Sequence, residues 1–227
     1  MSLLSYLTSL LTRPPQPTYK IAILGYYRGG KQSLLRGLTD KGAPITTHRD
    51  IASRSPDNVK VHIGHNTALN ITFIVSDIGY SESPRHKIFR RNFYKDADAA
   101  IWVVNSRSKE DWYESPDFIS MEMTGKERRM TEEQILKKKQ EGKDVDVEEE
   151  GLAKLVPTKF DEVPWLVLVN QRDGEGLCSL EEILGVLRLE EVGMKEFKVF
   201  EGSVLIWEGI NEGIEWLVGR LRGSGRS

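Results

Sequence analysis

The sequence predicts a doubly wound α/β domain on a mostly parallel six-stranded sheet with one antiparallel hairpin strand. Short apolar runs alternate with helical patterns along the chain, as that architecture requires. Two of the runs, 99–104 and 164–169, are continuously apolar, as strands covered by helices on both faces must be. A glycine-rich turn separates the first strand pattern from the first helix pattern. Open α/β sheets bind their ligands at such a place, outside the carboxyl ends of strands.

Taken in order, Tyr19–Leu24 alternates as a strand and Ser33–Leu38 carries helical spacing. Val59–Ile63 and Asn70–Val75 read as two strands, and the turn at 66–69 makes them an antiparallel hairpin. Ser83 and Pro84 form a helix start, with the cap just before proline at the first helical position. Ala99–Val104 and Pro164–Val169 are the buried parallel strands. Ser179 and Glu182 make a capping box. Phe197–Phe200 is a short strand. Ile206, Ile210, Ile214, Leu217 and Leu221 form one stripe on a final helix.

Two segments stand apart. Leu3, Leu4, Leu7, Leu10 and Leu11 recur at helical spacing before Pro14 and Pro15, so residues 1–16 predict an amphipathic helix on a proline hinge. Such a helix can lie on a membrane surface or dock in a groove of its own domain. Residues 17–227 form the domain. Within it, about 114–162 is dense in charge and predicts a solvated surface insertion.

Composition narrows the function. The chain of 227 residues is long enough for one domain with a substantial core, and 39% apolar with 29% charged residues is a globular mixture. A net charge of −2 argues against nucleic acid held by charge. The single cysteine, Cys178, permits no internal disulfide and fits a reducing, cytoplasmic setting. No apolar run is long enough to span a bilayer. The N-terminal residues lack the basic leader and cleavage site of a signal peptide.

Gly25-Tyr26-Tyr27-Arg28-Gly29-Gly30-Lys31 fits the phosphate-loop pattern G-x-x-x-x-G-K. Glycines let the backbone N–H groups turn inward onto phosphate oxygens, and the following helix adds its positive N-terminal end. Lys31 would reach the outer phosphates as a point charge. The pattern then asks for the hydroxyl of Ser or Thr as a Mg²⁺ ligand, and this chain has Gln32. Gln32 offers an amide oxygen on a longer arm, and the Ser33 hydroxyl comes one residue late. Arg28 either acts on phosphates or stays in solvent.

The base-recognition side follows the strand ending at Val169. Asn170-Gln171-Arg172-Asp173 resembles the N-K-x-D motif by which small GTPases recognise guanine, with Gln171 for lysine. The Asp173 carboxylate can accept two hydrogen bonds from guanine, whereas adenine presents an acceptor at the matching ring position. Asp77-Ile78-Gly79-Tyr80-Ser81 resembles the D-x-G-G-Q segment of the ADP-ribosylation-factor (Arf) and Arf-like GTPases. The 92–105 passage and the stretch 208–217 are similar to the same family, as is the leucine-rich N-terminal helix.

The resemblance implies a P-loop GTPase (G domain) fold that binds GTP or GDP with Mg²⁺. It implies Asp77 in the Mg²⁺ shell through water, Asp50 where the family has its Mg²⁺-binding Thr, and Gln32 or Ser33 in place of the hydroxyl ligand. It puts Ser203 and Val204 at the Cys/Ser-Ala pair whose backbone N–H meets the guanine oxygen. It puts Tyr27 at a loop position that is small in Ras-type proteins, where it would crowd a trans-acting arginine. Gly79 and Tyr80 stand at the switch glycines, and Tyr80 restricts a backbone that should approach the γ-phosphate. Ser81 stands at the catalytic Gln and is too short to position water.

The expectation is thus a divergent Arf-like GTPase with impaired hydrolysis, acting as a membrane-associated switch or scaffold in trafficking. In that family the N-terminal helix docks on the domain with GDP and enters membrane with GTP. The alternative is a pseudoGTPase interaction module that binds no nucleotide or does not cycle.

Overall fold

The computed structural model describes residues 18–26, 28–49, 60–76, 84–124, 158–171 and 178–223. Among them are seven strands and six helices. The strands are β1 (Tyr19–Leu24), β2 (Thr46–Arg49), β3 (Lys60–Asn66), β4 (Ile71–Ser76), β5 (Ala99–Asn105), β6 (Trp165–Asn170) and β7 (Phe197–Gly202). The helices are α1 (Lys31–Leu38), α2 (Pro84–Tyr94), α3 (Lys109–Thr124), α4 (Leu180–Leu187), α5 (Leu189–Val192) and α6 (Ile210–Gly223).

The strands form one sheet in the order β2-β3-β4-β1-β5-β6-β7. β4, β1, β5, β6 and β7 run parallel, while β2 and β3 pair antiparallel at one edge. The sheet therefore has seven strands rather than six. The added strand is β2, whose four residues Thr46, Thr47, His48 and Arg49 are all exposed. An edge strand buries no apolar face, so it leaves no hydrophobic alternation in the sequence. The hairpin turn expected at 66–69 spans Thr67–Asn70, with Asn70 at φ +58° as the residue that reverses the chain.

Alternation along β1 divides the core. Ile21 and Ile23 face α1 and α6, where they meet Leu34, Leu35, Leu38, Ile210, Ile214 and Leu217. Ala22 and Leu24 face the other layer with Trp102, Trp112, Trp165, Tyr94, Ile183 and Leu187. Each of these large apolar side chains contributes about 1.5–3 kcal/mol by leaving water. The Ser179 cap is as expected, its hydroxyl accepting from the Glu182 N–H at 3.2 Å. The final stripe begins at Ile210. Ile206 is exposed in the turn before α6, because 206 to 210 is a helical interval that the chain does not fill with helix.

Residues 114–124, expected as the start of the charged insertion, are the second half of α3. Ile119, Met121 and Met123 are buried there. At the far end, Phe160 returns to the core, stacked on Tyr94 with ring centroids 5.5 Å apart. The insertion is thus anchored at both described ends, and residues 125–157 lie outside the description, as do residues 1–17.

Glu122 is the charge that the sequence pattern hides. Fully buried, it accepts from Arg91 Nη1 at 2.9 Å and from the Tyr94 hydroxyl at 2.8 Å. Arg90 Nη2 lies 2.6 Å from Glu122 Oε1 as an ion pair without hydrogen-bond alignment. Arg90 and Arg91 come from α2 and Glu122 from α3, so the cluster clamps the two helices together.

Two outcomes follow from this cluster. Glu122→Ala leaves two buried guanidiniums without their carboxylate and lowers unfolding free energy by about 3–5 kcal/mol in urea titrations. The Tyr94 phenol is held well above its usual value, first by desolvation and then by Glu122, with the arginines opposing. The folded state keeps that proton longer than the unfolded chain does. This contribution is therefore intact below the unfolded tyrosine range and lost as pH rises beyond it. Tyr94→Phe is predicted to flatten the alkaline fall in stability measured above about pH 10.

Candidate functional site

The loop after β1 is shaped by its glycines. Gly25 has φ +136°, and a Cβ there would lie 2.4 Å from the Val103 carbonyl oxygen on β5. Tyr26 is buried, its ring edge-on to Trp102 at 6.1 Å and to Phe118 at 5.6 Å, so it anchors the loop to β5 and α3. Arg28 is exposed at φ +61°. The Gly29 N–H returns to the Tyr26 carbonyl at 3.3 Å. Gly30, at φ +102°, caps α1 without a side-chain hydrogen bond, and no acidic residue stands in the first turn. The first N–H groups of a helix have no partner inside it, so this end is left electropositive. Lys31, 2% exposed, reaches back to donate from Nζ to the Tyr26 carbonyl at 2.6 Å. Its ammonium lies across the loop.

Asn170, at the end of β6, joins this loop to the far side of the site. Its Nδ2 donates to the Gly29 carbonyl at 2.8 Å, and its Oδ1 accepts from the Val204 N–H at 3.1 Å. The fit is close. A Cβ on Gly30 would come within 2.5 Å of Asn170 Nδ2 and 2.9 Å of Val204 Cγ2. The Val204 N–H expected to meet a base oxygen is thus engaged by Asn170.

Ser203 and Val204 enter a turn closed by a pair of backbone bonds. The Ser203 N–H donates to Glu208 at 2.9 Å, and the Trp207 N–H to Ser203 at 2.8 Å. Trp207, at φ +63°, lays its ring against Gly37 of α1, where a Cβ would stand 2.1 Å from the ring. Gln171 turns to the same side, with Nε2 donating to Glu201 at 3.0 Å. Gln171 Oε1 and the Ser203 hydroxyl are buried without a hydrogen-bond partner among the described residues. Buried polar atoms in this state are costly and call for an explanation such as a polar ligand.

The side expected to hold a metal is different. Gln32 and Ser33 are exposed on α1. Gln32 Nε2 lies 3.3 Å from His62 Nε2 on β3, and His62 Nδ1 lies 2.9 Å from the Thr47 hydroxyl on β2. Mg²⁺ demands oxygen ligands in near-ideal octahedral geometry. A side-chain amide already engaged by an imidazole is a poor substitute for the hydroxyl that ion takes at this position. Among the described residues no group of three or more His, Cys, Asp or Glu could hold a metal.

The structure brings together Gly25, Gly29, Gly30, Lys31, Asn170, Gln171, Ser203 and Val204, with Gln32 at the rim. Tyr27, Asp50, Asp77, Gly79, Tyr80, Ser81 and Asp173 lie outside the described residues. Sequence reading missed Tyr26 and His62. Tyr26 stands at a variable position of the loop pattern. His62 and Thr47 meet Gln32 only through the register that sets Thr47 opposite His62.

The chain is similar to known proteins in sequence and in fold. The model of the ADP-ribosylation factor family matches residues 140–221. The chain is similar to ADP-ribosylation factor-like protein 2 of Dictyostelium discoideum, with 27% identity over 96% of this chain and 94% of the relative. It is also similar to ADP-ribosylation factor-like protein alp41 of Schizosaccharomyces pombe, with 27% identity over 89% of this chain and 86% of the relative. Among solved structures, the Arl6 BBS3 small GTPase of Trypanosoma brucei, with bound nucleotide analogue GppNp, superposes with a TM-score of 0.58. That match covers 91% of this chain and 99% of the other at 18% identity, and so speaks to the fold.

Replacing Asn170 with Ala removes both bonds across the cleft and leaves the Val204 N–H and the Gly29 carbonyl unsatisfied. The predicted loss is about 1–3 kcal/mol of unfolding free energy, read by urea denaturation.

Proposed function

We propose that the chain is a divergent Arf-like small GTPase that holds a guanine nucleotide and hydrolyses GTP slowly or not at all. One observation carries the reading: the Asn170 side chain spans the phosphate loop and the Ser203–Val204 turn, bonded to both. A base and a phosphate tail are bound by one molecule only if the two halves of a site are held at fixed separation, and Asn170 fixes it.

The residues fit such a ligand. Gly25, Gly29 and Gly30 let the loop close tightly on Val103, Tyr26 and Asn170, where a Cβ would collide. Lys31 and the uncapped start of α1 supply positive charge for phosphates. Gln171 Oε1 and the Ser203 hydroxyl are buried polar atoms on the base side. Asp173 is assigned guanine selectivity, and Gln171 takes the place of the lysine stem along the purine. A bound GTP supplies the phosphoanhydride bond, and the protein contributes position and charge. Tyr80 in place of a glycine and Ser81 in place of glutamine remove a γ-phosphate donor and the group that orients water. Impaired turnover follows from those two substitutions.

The surface role is that of a membrane-associated switch or scaffold in trafficking, with residues 1–16 as a peripheral anchor and an effector protein as partner. No helix among the described residues is long and apolar enough to cross a membrane.

Calorimetric titration with GTP, GDP and ATP tests the binding. GTP and GDP are expected to bind, with ATP weaker by orders of magnitude, because a site built to hydrogen-bond one base leaves groups unpaired with another. Lys31→Ala should weaken GDP by about tenfold to a hundredfold. Undiminished binding by that variant would remove the phosphate-loop assignment. Single-turnover assays should find GTP hydrolysis no faster than in an Arf-like relative assayed alongside.

A further inference from the structure

We infer that the cationic edge formed by β2 and β3 neutralises the terminal phosphates of the bound nucleotide, in place of Mg²⁺. This rests on the nucleotide reading above and deepens it. The start is the misfit at Gln32. In the position that normally offers a hydroxyl to the metal, its amide is turned onto His62, and His62 is in turn held by Thr47. The hairpin edge thereby reaches the start of α1, beside the phosphate loop.

That same flank carries charge. Thr47 stands opposite His62, and Arg49 stands opposite Lys60, in the antiparallel register of β2 and β3. Residues two apart on a strand share a face, so Arg49, Thr47, Lys60 and His62 lie on one side of the sheet. It is the side of α1, because His62 meets Gln32 there and because a Cβ on Gly64 would meet Thr39 and Leu35. The opposite face carries His48 and Val61 toward the other helical layer, where the His48 ring lies 4.9 Å from Phe93.

Direction completes the placement. β4 runs parallel to β1, and β3 runs antiparallel to β4, so the N-terminal end of β3 lies at the phosphate-loop end of the sheet. Lys60 and Arg49 are the outermost described pair at that end. Two cations directly opposite one another across a ladder repel, an arrangement that an anion between them would relieve. The anion that this site takes is the terminal phosphate. His62 is a positioning residue that holds Gln32 away from it, and Lys60 and Arg49 supply the charge.

The test is equilibrium binding of N-methylanthraniloyl-GDP to the full chain, in millimolar Mg²⁺ and in excess EDTA. The account expects affinities within about threefold of each other. Arg49→Gln combined with Lys60→Gln should weaken binding about tenfold in both buffers, with circular dichroism confirming that the variant is folded. A collapse of wild-type binding in EDTA by thirtyfold or more would overturn the inference and leave the nucleotide reading standing. Unchanged affinity of the double variant would overturn the assignment of charge to Arg49 and Lys60. No binding in either buffer would instead remove the nucleotide reading and this inference with it.

Discussion

One side chain organises the site. Asn170 is buried at the carboxyl end of β6, and it satisfies the Gly29 carbonyl and the Val204 N–H at once. The two partners lie in different loops, and Asn170 links them directly. The contact is demanding on its surroundings. It requires glycine at position 30, since any Cβ would collide with the amide. It also requires the strand before it to be rigid, and β6 is buried along its whole length between β5 and β7. The apolar sheet is in this sense the mount for a single polar bridge.

The same division of labour appears elsewhere. Tyr26 fixes the phosphate loop from below through aromatic contacts, whereas Trp207 fixes the far turn by lying against α1 at Gly37. The buried Glu122 cluster joins α2 to α3 away from the site. α2 follows the segment that carries Asp77, Tyr80 and Ser81, and α3 leads into the charged insertion. Removing one partner of a buried ion pair is costly, so this junction is fixed in position even though it contributes little net stability as an ion pair.

Much of this was legible in the sequence. The strands β1, β5 and β6 announce themselves as apolar runs, and the glycine loop with Lys31 and Asn170 stands out by spacing. What was not legible has physical causes. β2 is a polar edge strand, and nothing in Thr-Thr-His-Arg distinguishes it from a loop until a partner strand is placed beside it. His62 acquires meaning only through cross-strand register and the helix above it. Glu122 sits in a stretch whose charge density suggests solvent, and its burial depends on two arginines thirty-odd residues earlier in the chain. Ile206 continued the helical stripe on paper, but the turn that positions Val204 takes precedence over one more turn of helix.

The most direct test of the central claim is the nucleotide content of the native protein, released by denaturation and resolved by ion-exchange chromatography. The account predicts stoichiometric guanine nucleotide, retained as GTP where hydrolysis is lost. A protein that carries no nucleotide and stays empty when GTP is added, with or without Mg²⁺, would contradict it and leave an interaction domain on a GTPase fold.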